Sequence, residues 1–349
     1  MSSDTGLQHE RVVVERGRAS GLPIIIAVHS TKLGAAVGGC RLWSYPDWRD
    51  GLADALALSS AMSLKCAAAG IDHGGGKTVI ALPPGAELSP ARRVAVMEDL
   101  GDAVERLGGQ YYVGEDVGTG PEDIQVVRGR TRWTSRPRVE RGAGGPEPTA
   151  VGVLEAIRAT ARHAFGSGDL SGRRFAVVGL GHVGLPLAHM LAAEGAVLVV
   201  SDIDARKRAV ADELGARWLA PAEASFAQVD VLVPAALGGV VSAETIDRLR
   251  CAAIVGPANN QLVDERWADE LQARGITWAP DFVVNAGGVV FEVGVTLDDL
   301  PEDTAMARVR EIGARLDGVF ARAADTGKTP LVVALDDARE ALATAAVVR

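Results

Sequence analysis

The apolar positions of the chain change period along its length, and each change marks an element. Residues 11–14 (RVVV) and 23–29 (PIIIAVH) are β-branched runs separated by a glycine-containing turn, which predicts a hairpin. Over 50–68 the period lengthens, and Leu52, Ala55, Leu56, Leu58 and Met62 form an apolar stripe at helical spacing. A glycine triplet then leads into Lys77 and the strand-like TVIAL. Ser89 as N-cap, with Pro90 at the first helical position, opens a helix over 89–107. The strand YYV (111–113) runs into the loop GEDVGTGPED.

Residues 134–148, rich in Pro, Gly and Arg, read as a hinge. Beyond them the rhythm changes. Residues 149–165 are helical, and from 174 to 250 short apolar strands alternate with helices. That is the βαβ pattern of a parallel sheet, extended by strands at 252–255 and 276–279. After NAGG (285–288) the chain is largely helical.

Composition sharpens this picture in three ways. The 349 residues are enough for two domains with real cores. The net charge of −9, with both signs interspersed, argues against nucleic acid or an acidic membrane as partner. Only five of 36 basic residues are lysines (Lys32, Lys65, Lys77, Lys207 and Lys328), and Lys65 and Lys77 share one apolar, glycine-rich stretch. Lysine can titrate when buried and arginine cannot, so each retained lysine raises a question. Three scattered cysteines form neither a disulfide framework nor a zinc spacing, and the histidines show no metal-ligand spacing. No apolar leader opens the chain and no apolar run reaches a membrane span, so a cytoplasmic, soluble α/β protein is expected.

Two segments carry chemistry. The strand 175–178 enters G-x-G-x-x-G at Gly179, Gly181 and Gly184, with His182 and Val183 inside the turn, and a helix follows. Gly179 permits the turn, Gly181 lets a pyrophosphate approach backbone, and Gly184 allows close helix packing. Asp202, at the end of the next strand, is placed to accept from ribose hydroxyls and to repel a 2′-phosphate, which favours NAD over NADP. Arg206 and Lys207 keep NADP open. The second segment runs from Lys65 to Lys77 across the three glycines. It is either a bed of bare backbone for a small ligand or a flexible turn with two solvated lysines. GGGKT lacks the gap of a P-loop. Asp116, straight after a strand, is either a turn residue capping the next helix or, paired with a lysine, an acid–base group for a Cα–N bond. Cys66 is either a thiol activated by Lys65 or a buried small hydrophobe, and His73 contacts substrate or packs a loop.

Taken in order, HSTKLGAAVGGCRLW (29–43), AMSLKCAAAGIDHGGGKTVI (61–80), GEDVGTGPED (114–123), PTAVGV (148–153), GLGHVG, AALGG (235–239), GPANNQL (256–262) and WAPDFVVNAGG (278–288) resemble the leucine, valine and phenylalanine dehydrogenases of the glutamate dehydrogenase superfamily. The resemblance covers nearly the whole chain. It implies an N-terminal α/β substrate and oligomerisation domain (1–135, with the C-terminal helix from about 320 to 349) and a Rossmann-type NAD-binding domain (136–319), with the cleft between them as the site. It implies reversible oxidative deamination of an L-amino acid to a 2-oxo acid and ammonia, with NAD as cofactor and a homo-oligomer, dimer or octamer. By the resemblance, Lys65 pairs with the substrate carboxylate, Lys77 is a titrating lysine that helps water add at the iminium carbon, and Asp116 moves protons to and from the amino group. Gly38 and Gly39 lie against substrate. Asn285 holds the amino group or the nicotinamide amide. Thr149, Ala236, Asn259 and Asn260 stand by the cofactor.

Departures from the family pattern concern the side-chain pocket. Val37 stands where glutamate dehydrogenases carry a lysine, which makes glutamate a poor substrate. Gly114 replaces an alanine and enlarges the pocket. Val289 is ordinary. Glu292 falls at a small apolar pocket position, which implies a polar or basic substrate unless a one-residue slip puts Val293 there instead. Ser135 and Arg136 after Thr134, and the loop GGPEP, also depart from the pattern. The rival reading from another class is a catalytically silent NAD-binding homologue.

Overall fold

A computed structural model describes residues 8–135 and 146–345. Among these the chain divides into two compact units, Met1–Ala143 with Asp337–Arg349, and Gly144–Asp336. Most of the segment read as a hinge lies outside the described residues.

The first unit is built on five strands: β1 (Arg11–Arg16), β2 (Pro23–Ser30), β3 (Ala36–Ser44), β4 (Gly74–Leu82) and β5 (Tyr111–Glu115), in the order β1-β2-β4-β3-β5. The expected β1–β2 hairpin is antiparallel, β2 pairs antiparallel with β4, and β3 runs parallel to both β4 and β5. Helices α1 (Trp48–Ala69), α2 (Pro90–Glu105) and α3 (Pro121–Arg128) complete the unit. Ser89 caps α2 through the Arg92 N–H, as its sequence predicts. Ile24, Ile26, Ile80, Met97, Leu100, Tyr111 and Val113 form the main core on the α2 side of the sheet. Ile25, Ala27, Ala55 and Val79 form a smaller one under α1.

Two sequence expectations change here, for one reason. The glycine triplet is not a turn: Gly74, Gly75 and Gly76 are the first three residues of β4 and are buried. A Cβ at Gly75 would lie 2.0 Å from the backbone N of Ser63, and one at Gly76 would lie 2.6 Å from the Tyr111 ring. The space a ligand would need on that backbone is filled by α1 on one face and Tyr111 on the other. Because helix and strand approach so closely, the buried face of α1 is Gly51, Ala55, Ser59, Ser63, Cys66 and Ala69, not the leucine stripe. Leu52 and Leu56 pack at its margin. By length and composition α1 would pass for a membrane span, yet it lies against β2 and β4.

The second unit carries a parallel sheet of β6 (Arg174–Val178), β7 (Val197–Ser201), β8 (Arg217–Trp218), β9 (Val231–Pro234), β10 (Ala253–Ile254) and β11 (Thr277–Trp278). Its order, β11-β10-β9-β6-β7-β8, reverses between β6 and β9, the order of a Rossmann-type fold with its switch point there. Helices α4 (Glu147–Phe165), α5 (Gly184–Ala193), α6 (Arg208–Glu213), α7 (Pro221–Ala224), α8 (Trp267–Ala273), α9 (Asp281–Val284), α10 (Gly287–Thr296) and α11 (Glu302–Thr326) accompany it, and α12 (Pro330–Thr344) begins in this unit and ends in the first. The far boundary lies at Asp336/Asp337 rather than near 319/320. α11 is one unbroken helix packed on α4 and α10, and Phe320 stacks on His163 of α4, so its last turns stay with the second unit.

A methyl group at Gly75 should force α1 off the sheet. Gly75→Ala is expected to cost about 3 kcal/mol, read as a lowered urea midpoint of the first unit's transition. An unchanged midpoint would show that the helix–strand contact is looser than described.

Candidate active site

Strand alternation gathers most of the expected substrate-side residues on one face of the first sheet. Val37, Gly39 and Arg41 of β3, Gly75 and Lys77 of β4, and Gly114 of β5 alternate onto the face that α1 covers. Asp116, one residue beyond β5, joins them. Gly39 pairs with Gly114, and a Cβ at Gly39 would meet the Asp116 Cβ at 2.7 Å. Gly38 alternates to the other face, where its carbonyl accepts from the Tyr111 hydroxyl at 3.1 Å. Lys65 is half-buried in α1 itself.

The centre of this face is an ion pair. Lys77 Nζ lies 2.9 Å from Asp116 Oδ2, and the lysine side chain is only 8% exposed. The Asp116 N–H donates to Thr119 Oγ1, whose hydroxyl donates to the Cys40 carbonyl, and this pins the acid loop to β3. Asp116 is therefore not a helix cap. Gly120 is the N-cap of α3, and Asp123 accepts from its N–H. Burial opposes ionisation of Asp116, but the Lys77 ammonium and the Arg41 guanidinium outweigh it and hold its carboxyl below the ordinary value. Burial pushes the Cys66 thiol up to about 12, with Lys65 only partly opposing, so Cys66 is the buried hydrophobe and not a reactive thiol. The His73 ring nitrogen bonds the Ala35 carbonyl and its edge meets Tyr112, which is a loop-packing arrangement.

The second unit presents the glycine turn at the carboxyl ends of β6 and β9. Gly179 has φ +111°, and a Cβ there would meet Ala236 at 2.7 Å. A Cβ at Gly184 would lie 1.9 Å from the Gly179 carbonyl, whereas around Gly181 there is open space. The three glycines thus serve the turn, the helix packing and an approachable backbone, and His182 beside them is exposed, with Val183 half-buried. Asp202 is more engaged than its sequence suggests. Its carboxylate accepts from the Leu180 and Asp204 N–H groups and from Lys207 Nζ, at 2.8, 2.9 and 2.9 Å. Burial opposes its charge, but these donors hold its carboxyl below the ordinary value. Lys207 is therefore no idle surface residue.

Nearby loops converge in the same unit. Asn285 Nδ2 donates to the Pro257 carbonyl and to Asn259 Oδ1, while its buried Oδ1 has no partner. The Gly239 N–H donates to the Asn260 carbonyl, tying the AALGG loop to the Asn259–Asn260 turn. Gly287 and Gly288 bring α10 against Pro148 and Thr149, with a Cβ at Gly288 falling 2.7 Å from Thr149 Oγ1. Val289 and Glu292 are half-buried along α10, and Val293 is buried.

Two networks escaped the sequence reading. Arg41 bonds both Asp116 and Asp54, and Tyr45 bonds Asp54. Gln261, fully buried, donates to the Gly256 and Ala258 carbonyls, accepts from the Trp278 indole and is held at its own N–H by Asp281, which orders the asparagine loop. The signal for the first was present: Arg41 is two residues past Gly39, on the same strand face.

A buried lysine–carboxylate pair on one unit and a dinucleotide-type turn on the other define a two-unit α/β dehydrogenase. The Glu/Leu/Phe/Val dehydrogenase dimerisation-domain model matches residues 8–133, and the Glutamate/Leucine/Phenylalanine/Valine dehydrogenase model matches residues 203–294. Leucine dehydrogenase of Thermoactinomyces intermedius is 40% identical over 316 residues, 89% of this chain and 85% of that protein. Phenylalanine dehydrogenase of Lysinibacillus sphaericus is 39% identical, covering 90% of this chain and 84% of that protein. The crystal structure of L-tryptophan dehydrogenase from Nostoc punctiforme superposes with a TM-score of 0.86 at 32% identity, over 97% of this chain and 96% of that one. The chain belongs to the Glu/Leu/Phe/Val dehydrogenase family and is an amino acid dehydrogenase.

The Asp116 pair has a pH signature. A carboxyl whose folded pKa is lowered stabilises the fold above its unfolded value, about 3.9, and that contribution is lost as pH falls through the folded value. Wild type should exceed Asp116→Asn in unfolding free energy by on the order of 2 kcal/mol near neutrality, allowing for partial exposure. The gap should close below about pH 4. Urea titrations of both proteins over that range test it, and a gap that ignores pH would sink the assignment.

Proposed function

We propose that the chain catalyses reversible, NAD-dependent oxidative deamination of an L-amino acid of leucine, valine or phenylalanine type to its 2-oxo acid and ammonia. The observation that carries this reading is the buried Lys77–Asp116 pair beside the bare backbone of Gly39 and Gly114. The chemistry NAD would supply when bound is acceptance of the hydride from the substrate Cα. Lys65 anchors the α-carboxylate. Asp116 takes a proton from the substrate amino group, and Lys77 assists water as it adds to the iminium carbon. Protons return by the same groups as ammonia leaves. Val37, apolar and 4% exposed, offers no cation for a γ-carboxylate, which argues against glutamate.

The second unit's residues fit the cofactor. Open space at Gly181 suits a pyrophosphate against backbone and the start of α5. The orphaned Oδ1 of Asn285 asks for an N–H, which a carboxamide or a substrate amine supplies. Asn259 bonds the Asn285 amide, Thr149 lies against Gly288 and Ala236 against Gly179, which is consistent with Thr149, Ala236, Asn259 and Asn260 serving the cofactor. Asp202 faces the ribose end, and Lys207 and Arg206 are already paired with Asp202 and Asp204, which supports NAD over NADP. The match of the first unit to a dimerisation domain supports a homo-oligomer, dimer or octamer.

One observation favours a second reading of substrate choice. Along α10, Gly288, Val289, Glu292 and Thr296 form a half-exposed stripe, while Val290, Phe291, Val293, Gly294 and Val295 are buried. Glu292, not Val293, shares the open side with Val289, and a carboxylate there suits a polar or basic substrate side chain.

NADH formation with a panel of leucine, valine, phenylalanine, lysine and arginine tests both readings. Activity is expected with at least one, and kcat should fall about 10²–10⁴-fold in Lys77→Ala or Asp116→Asn. NAD binding with no turnover of any amino acid would overturn the proposal. Glu292→Val should shift preference toward leucine if Glu292 meets the side chain, and an unchanged profile excludes the basic-substrate reading.

A further inference from the structure

We propose that Arg41 is a positioning residue for the proton-transfer carboxylate, clamped in place by Asp54 and Tyr45. The inference rests on the role given to Asp116 above. Four charges stand in a row, each from a different segment: Lys77 of β4, Asp116 after β5, Arg41 of β3 and Asp54 of α1. Asp116 Oδ2 receives Lys77 Nζ at 2.9 Å and Arg41 Nε at 3.2 Å. Arg41 Nη1 reaches Asp54 Oδ2 at 2.9 Å, and the Tyr45 hydroxyl donates to that same oxygen at 2.5 Å. The side chains of Arg41, Asp54 and Asp116 are 24%, 27% and 23% exposed, so this is not a solvated surface pair.

The clamp does two things. It fixes orientation, because an oxygen held by two cations on different strands leaves the carboxylate one rotamer before any substrate arrives. It also balances charge. Without Arg41, Asp116 and Asp54 would share Lys77 as their only cation in the row, and like charge favours protonation of a carboxylate. Cys40 on β3 and Tyr111 on β5, which feel Asp116 from the other face of the sheet, are fully buried, and burial keeps both protonated, so they add no charge. A guanidinium suits the place because its separate N–H groups bond two carboxylates at once, which an ammonium on a flexible stem does poorly.

The test is the pH dependence of kcat and kcat/KM for full-length Arg41→Met, Arg41→Lys and Asp54→Asn, with the best amino acid of the panel and NAD. Arg41→Met should lower kcat at least about tenfold and move the acid limb up by about one pH unit or more, with KM for NAD unchanged. Arg41→Lys should restore the acid limb but not kcat. Asp54→Asn should lower kcat without raising the acid limb. An Arg41→Met protein with a lower melting point but unmoved kcat and acid limb would make the network merely structural and overturn the proposal. Should Arg41→Met fail to fold, unchanged profiles in both other variants overturn it equally. Asp116→Asn separates the two levels. Its full activity would overturn the role of Asp116 itself, whereas its inactivity with unchanged Arg41 variants would overturn only the positioning.

Discussion

Everything in the first unit's site depends on how closely α1 and the neighbouring strands approach β4. Three successive positions of a central strand carry no side chain, and each is hemmed by neighbouring atoms: the Ser30 carbonyl, the Ser63 backbone and the Tyr111 ring. Glycine in a strand interior costs about 0.5–1 kcal/mol relative to alanine. The return is geometric. With Gly38 hemmed by the Gly76 carbonyl and Gly39 by Asp116, the strands bring Lys77 Nζ within 2.9 Å of Asp116 Oδ2. An ordinary side chain at any of these positions would move the lysine or the acid away from the contact that defines their chemistry.

The second unit uses the same device at different places. Gly184 lets α5 start against the Gly179 carbonyl, and Gly287 lets α10 start against Pro148. Where the first unit spends its glycines on seating a charge, the second spends them on placing helix starts and loop backbone. Of the three glycines of the turn, Gly181 is the one with open space beside its backbone. Asp202 joins turn and strand, since it accepts from Leu180 in the turn while Lys207 steadies it. Its charge therefore organises the turn within the protein itself.

The sequence patterns resolved most of the strands, the Ser89 cap and the parallel sheet because those follow from period and punctuation, which are local. The pairing of Lys77 with Asp116 became legible only through motif order, because 39 residues separate them and no local pattern links them. What stayed hidden was whatever a neighbour decides. Period alone marked the leucines of α1 as its inner face, but the glycine strand beneath admits only small residues there. The triplet itself reads as a turn in isolation, since glycine's local signal is flexibility and its use here is absence of volume. Arg41 was passed over because one arginine among many carries no signal until strand alternation is applied. Gln261 was missed because a buried amide is recognised by its partners, and these come from Trp278 and Asp281 on distant segments.

The scarcity of lysine acquires a physical meaning at this point. Two cations share one oxygen of Asp116, and they are of different kinds. Under the proposed chemistry one of them assists the reacting water and the other only holds Asp116 in place. Lysine is the side chain that does the first, and arginine the one that stays charged and reaches two acceptors. Exchange them and both tasks fail. An arginine at 77 would put a bulky planar group where a compact ammonium now meets Asp116, and a lysine at 41 would hold one carboxylate and abandon the other. On that reading, an arginine-biased chain keeps Lys77 because this is a position where the bias would be chemically visible.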